Sequence, residues 1–122
     1  MTGQPSPTPV DVVRRYLEEV YHQGRAELIR ELTADPLVRH DPGATVEHSH
    51  QRQIDRIHAE LPGWRPLFTA EVLTGDAEFA TLVWTATGRD SDRTLSGIEV
   101  FRVRDGRITE VWNAAYSTQP WT

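Results

Sequence analysis

A chain of 122 residues, 38% hydrophobic and 25% charged, is long enough to bury a core in one domain and too apolar to stay disordered. A formal net charge of −5, with the basic residues scattered rather than clustered, argues against a nucleic-acid surface, which carries a basic excess. The absence of cysteine excludes disulfides, thiolate nucleophiles and Cys-based zinc sites, and no apolar run approaches the roughly 20 residues of a membrane helix.

Residues 1–8 read as a flexible lead-in. They lack the apolar core of a signal peptide, which predicts a cytoplasmic protein. Residues 9–122 read as one domain. Thr8-Pro9-Val10-Asp11 is a helix start, with Thr8 at the N-cap, Pro9 in the first helical position and Asp11 near the positive end of the dipole. Val10, Val13, Tyr16, Leu17, Val20 and Tyr21 recur at helical spacing, and Gly24 closes the helix. A second, shorter helix carries Leu28, Ile29 and Leu32 and stops before Asp35-Pro36. Leu37-Val38-Arg39-His40 is a short extended piece cut off by Asp41-Pro42-Gly43. Ser49 caps a third helix running to about Leu61, and Pro62-Gly63 ends it.

The character then changes. Residues 67–73, 78–87, 94–104 and 107–117 read as four strands separated by Gly75-Asp76, Gly88-Arg89-Asp90 and Asp105-Gly106. Asp-Gly between two alternating runs is a strong hairpin signal. Helices first and antiparallel strands second predict an α+β fold, with helices on one face of a curved sheet. On the third of these strands Leu95, Gly97, Glu99, Phe101 and Val103 share a face, because strand side chains alternate with period two. Glu99 is therefore a carboxyl among apolar neighbours. Such a group finds a partner, stays protonated or does chemistry.

Three segments carry a family resemblance: Val12-Val13-Arg14-Arg15-Tyr16-Leu17 with Gly24-Arg25-Ala26-Glu27; Arg39-His40-Asp41-Pro42-Gly43; and Gly97-Ile98-Glu99-Val100-Phe101-Arg102-Val103 with Asp105-Gly106-Arg107-Ile108 and Val111-Trp112-Asn113. With the order of elements they resemble the nuclear transport factor 2-like superfamily, in its SnoaL-like and ketosteroid-isomerase-like branches. The resemblance implies a cone-shaped half-barrel, mainly antiparallel, with three N-terminal helices around one apolar pocket, commonly in a homodimer. It also implies no cofactor. In the isomerase branch a helix tyrosine and a protonated carboxyl hold an enolate oxygen, the known instance of a carboxylic acid kept neutral by an apolar site. The matching positions here are Tyr16 and Glu99, with Asp41 beside a proline as proton carrier. The turn segment is one residue longer than the isomerase pattern, which turns His40 inward in place of Asp41. The cyclase branch places an acidic Asp after the last-strand Trp, where this chain has Asn113. Asparagine exchanges no proton at neutral pH but can hold an oxyanion.

Each candidate has a plainer role beside the chemical one. Glu99 pairs with Arg14 or Arg39; Asp41 merely starts the turn at Pro42-Gly43; His40 is solvated; Tyr16 and Asn113 are buried polar groups with partners. Trp64, Trp84, Phe101, Val111 and Tyr116 are core or pocket wall, and His50 lines the pocket mouth if the third helix forms a lid. His48-Ser49-His50 and His58 invite a metal, but their spacing fits no recognised site. The first expectation is an enzyme that moves protons on an apolar, carbonyl-bearing, polyketide- or steroid-like metabolite, by isomerisation, cyclisation or elimination. His40 or Asp41 would be the base, and Tyr16, Asn113 and Glu99 would hold the oxyanion. The alternatives are a non-catalytic module for hydrophobic ligands or dimerisation, and epoxide opening between carboxylates and an arginine. Neither nucleic acid nor membrane is expected as a partner.

Overall fold

The computed structural model describes residues 7–122, so most of the expected flexible lead-in lies outside the described residues. Helix α1 (Pro9–Arg15) starts as its sequence predicts: the Thr8 hydroxyl accepts from the Asp11 amide at 3.1 Å, and Pro9 opens the helix. The expected α-helix then loosens into a π-helical segment (Tyr16–His22) that ends ahead of Gly24, whose φ is +72°. A single 3₁₀ turn (Ala26–Leu28) leads into the short α2 (Ile29–Leu32). Val12, absent from the sequence-read stripe, is as buried as Val13 and Val20.

The extended piece is longer than its sequence suggests. It forms β1 (Thr33–Asp41), and the Asp41-Pro42-Gly43 turn returns the chain as β2 (Ala44–His48), an unexpected hairpin. Ser49 caps α3 (His50–Trp64), its hydroxyl accepting from the Arg52 amide. Contrary to expectation α3 runs past Pro62 and stops at Arg65, which takes a left-handed φ of 47°. Pro62 removes the amide that would bond the His58 carbonyl and its ring crowds that carbonyl, and the helix ends two residues later.

Four strands complete the sheet: β3 (Pro66–Gly75), β4 (Phe79–Gly88), β5 (Thr94–Arg104) and β6 (Arg107–Asn113). The last ends at Asn113 rather than 117, although Ser117 still bridges Ser96. Asp105 (φ 53°) and Gly106 (φ 76°) both have positive φ, as the tight β5–β6 turn requires. The strand order is β2-β1-β6-β5-β4-β3, an open mixed sheet in which β1 and β6 run parallel and every other pair antiparallel.

The expected α+β cone fold is the one observed, with α1 across β3 to β6 and α3 against β1 and β2. Between them Val13, Ile29, Leu32, Ile54, Leu82, Phe101 and Ile108 form the core. No described helix is long and apolar enough to cross a membrane.

Candidate active site

A cavity of about 230 Å³ opens between the helices and the concave side of the sheet. It is open rather than filled: Trp84 and Phe101 form walls and do not plug it. The π-helical segment supplies one end. Residues five apart diverge on an α-helix but line up where hydrogen bonds span five residues. Tyr16 and Tyr21 thereby bring their hydroxyls within 3.3 Å. Burial pushes the Tyr16 phenol up to about 12, against the easing effect of the Tyr21 hydrogen bond. Both hydroxyls therefore stay protonated, as hydrogen-bond donors must.

The sheet supplies the carboxyl. Period-two alternation on β5 turns Glu99 and Phe101 into the cavity. The Tyr116 hydroxyl donates to Glu99 Oε1 at 2.9 Å and itself accepts from Arg39 Nη2 at 3.2 Å. Arg39 Nε is shared between both oxygens of Asp41, at 3.1 and 3.2 Å. A chain of polar groups thus runs from Asp41 through Arg39 and Tyr116 to Glu99. Burial raises the Glu99 pKa above its ordinary value; the Tyr116 hydrogen bond and the Arg39 charge pull it part of the way back, and Asp41 pushes it up. Burial also works against the Arg39 charge, but Tyr116, Asp41 and Glu99 outweigh it and keep the guanidinium protonated.

The structure separates residues that the sequence suggested would converge. On β1 Leu37 and Arg39 line the cavity. His40 faces the other way, stacked on Trp112 at 4.9 Å and bonded through Nε2 to Glu110 at 2.7 Å. The parallel register that pairs Arg39 with Val111 and His40 with Trp112 fixes this choice of face. His40 is therefore on the outer face, not turned inward. Asp41 reaches the site only through Arg39. Asn113 pairs with Glu99 across the β5–β6 ladder and is buried, with Oδ1 3.3 Å from the Tyr116 hydroxyl. Tyr116 has one proton, and the shorter contact gives it to Glu99.

His50 does not line the cavity mouth. Its Nε2–H donates to the Thr33 carbonyl at 2.8 Å and fastens the start of α3 to β1. His58 is exposed on α3 and is not among the residues that line this cavity. Trp64, Trp84, Phe101, Val111 and Tyr116 line the cavity.

The sequence reading named Arg39 only as a partner for Glu99 and His48 only within a metal motif, and missed Gln53, Arg56, Glu60 and Arg93; all six line the cavity. Two signals could have found most of them. Leu37 shares its strand face with Arg39, and Gln53, Arg56, Glu60 and Trp64 follow one another at three- and four-residue steps on α3. His48 is 6% exposed, with Nε2 3.4 Å from Arg56 Nη1. Burial and the charges of Arg56, Arg52 and Arg39 lower its pKa.

Comparison with known proteins places this geometry. Residues 13–111 match the family model described as the SnoaL-like domain. Among solved structures, IdmH of Streptomyces antibioticus, suggested to be a polyketide cyclase, superposes with a TM-score of 0.75 at 20% identity, over 91% of this chain and 93% of that one. A SnoaL-like protein of Jannaschia sp. CCS1, also suggested to be a polyketide cyclase, gives 0.71 at 18% identity over 95% and 92%. A SnoaL-like protein of Agrobacterium tumefaciens, suggested to be an isomerase, gives 0.66 at 22% identity over 87% and 95%. At these identities the likeness is one of fold. No curated protein matches the sequence.

Proposed function

This chain belongs to the SnoaL-like domain family, and on that premise we propose that it is a small, cofactor-independent enzyme acting on an apolar, carbonyl-bearing metabolite. Glu99 is the acid/base. Ionised, it takes a proton from the carbon next to the carbonyl; the electron pair moves onto the carbonyl oxygen; the protonated Glu99 then returns the proton to the substrate. Where a C=C bond adjoins the enolate, return to its far carbon is isomerisation, the double bond moving into conjugation. Attack of the enolate carbon on a second carbonyl of the same molecule is ring closure, the attacked C=O bond opening to an alkoxide that takes the proton from Glu99. The Tyr16 hydroxyl and the Arg39 guanidinium, both on the cavity wall, meet the developing oxyanion as donors already in place.

The observation that carries this reading is Glu99 itself, a carboxyl on an apolar cavity wall whose pKa is raised and whose oxygen is held by Tyr116. A carboxylate whose pKa burial raises is a stronger base than an exposed one, the direction general base catalysis favours. Hydrogen–deuterium exchange next to the carbonyl of 2-tetralone, a bicyclic ketone, tests it in wild type and Glu99→Gln. Equal exchange in the two proteins would end the mechanism.

The expected homodimer and cytoplasmic setting, with a role in specialised metabolism, belong to the same proposal. Ile98 (38% exposed) and Val72 (47%) leave apolar side chains uncovered on the sheet, which supports a partner copy; sedimentation velocity decides it. A second reading, hydrolytic opening of an epoxide, is favoured by one observation. Arg39 stands between Asp41 and the Tyr116–Glu99 pair, so an arginine has a carboxylate on either side. Incorporation of labelled water oxygen into a diol product would select it over the isomerase reading.

A further inference from the structure

The cavity is more basic than the chain that builds it. Arg39, Arg56 and Arg93 line it against Glu60 and Glu99, in a protein of formal net charge −5. The three arginines are not equivalent. Arg39 is held by Asp41, and Arg93 sets its Cζ over the Trp64 ring, 4.4 Å from the centroid, where the aromatic face meets its charge. Arg56 has neither. Among the described residues it forms no ion pair, not even with Glu60 one helical turn away, and its one side-chain partner is His48.

That partner cannot neutralise it. Arg56 Nη1 donates to His48 Nε2 at 3.4 Å, which requires a lone pair on Nε2 and leaves the ring proton on Nδ1. His48 is nine-tenths buried, and its Nδ1 has no partner among the described residues. A lowered pKa agrees with a neutral ring. The site therefore presents to the cavity a guanidinium braced by a neutral imidazole and ion-paired with neither Glu60 nor Glu99. Arginine carries a planar fork that fits a carboxylate through two parallel hydrogen bonds. On a protein of opposite net charge, such a focused patch draws an anionic ligand to one spot.

We propose that Arg56 anchors a carboxylate of the substrate, so that the pocket selects apolar carbonyl compounds bearing a free acid over their neutral counterparts. This rests on the reading of the cavity as a substrate site. Arg56 stands on the α3 wall and Glu99 on the sheet wall. An acid group held at the first leaves the rest of an apolar ligand lying across the cavity toward the second. Specificity and proton transfer then belong to opposite walls, and each can be changed without the other.

The experiment is isothermal titration calorimetry with two probes of one shape, naphthalene-2-carboxylate and the neutral naphthalene-2-carboxamide. Wild type binds the acid at least about tenfold more tightly than the amide, and the preference shrinks as salt rises. Arg56→Gln loses the preference and keeps its affinity for the amide; Arg56→Lys keeps part of it. Because the wild-type acid-to-amide ratio and its salt dependence need no variant, a misfolded Arg56→Gln leaves the idea testable. Equal binding of the two probes by wild type, or an undiminished preference in a folded Arg56→Gln, overturns the carboxylate anchor and leaves the catalytic cavity standing. Failure of both probes to bind overturns the anchor together with the cavity reading.

Discussion

The Tyr116 hydroxyl lies 2.9 Å from Glu99 Oε1, and that one hydrogen bond links the C-terminal tail to the carboxyl on the cavity wall. Its donor favours the ionised carboxylate, so it lowers a pKa that burial raises. Removing it makes a signed prediction. In Tyr116→Phe the Glu99 pKa rises further, and the acid limb of activity moves to higher pH. Carbon-detected NMR titration of the Glu99 carboxyl reads the first, and a pH–rate profile reads the second.

His40 and Glu99 separate cleanly by face. Because His40 is bonded to Glu110 and stacked on Trp112 on the outer side of the sheet, His40→Ala should leave turnover within about twofold of wild type. A loss of two orders of magnitude would return the histidine to the mechanism.

Gly97 is a packing requirement of the site. A Cβ built there meets Trp84 Cζ2 at 2.7 Å and Tyr116 Cδ1 at 2.9 Å, and Trp84 is 3% exposed and cannot swing away. Gly97→Ala should cost about 1–3 kcal/mol in urea unfolding by forcing the two rings off their rotamers. It should also lower activity through the displaced Tyr116.

Acid should loosen the fold before the carboxylates are involved. The His22 Nε2 accepts from the Phe68 amide at 2.9 Å, a bond that needs the neutral ring. Burial and the nearby Arg89 lower the His22 pKa, and His48 shifts the same way. A base whose folded pKa is depressed binds more protons when unfolded, so stability is full above the unfolded value of 6.5 and falls as pH drops below it. The melting temperature should decline from pH 7 toward pH 5, and less steeply in His22→Asn.

The sequence disclosed what local chemistry dictates. Thr8 and Ser49 cap their helices, Asp105-Gly106 turns its hairpin, and alternation along β5 puts Glu99 inward. What escaped depends on partners distant in the chain. Whether Arg39 or His40 faces the cavity is decided by the parallel pairing of β1 with β6, some 70 residues away. β2 escaped because Ala44, Thr45 and Glu47 give it little apolar alternation, and its pairing with β1 holds it. The π-helical segment keeps the same apolar residues inward as an α-helix would, so its spacing does not announce it. Yet that segment is what brings Tyr16 and Tyr21 together. Arg56 was hidden for another reason: an arginine on a helix is normally a solvated face, and only the fold brings this one to the cavity wall beside His48.

The central claim is that Glu99 moves the proton. The most direct measurement is the pH dependence of hydrogen–deuterium exchange next to the 2-tetralone carbonyl, set against the NMR titration of the Glu99 carboxyl in the same protein. The account predicts one midpoint for both, above the ordinary value of 4.5, and an exchange rate in Glu99→Gln about 100-fold lower or less, without that limb. An exchange profile that ignores the Glu99 titration, or survives intact in Glu99→Gln, would contradict it.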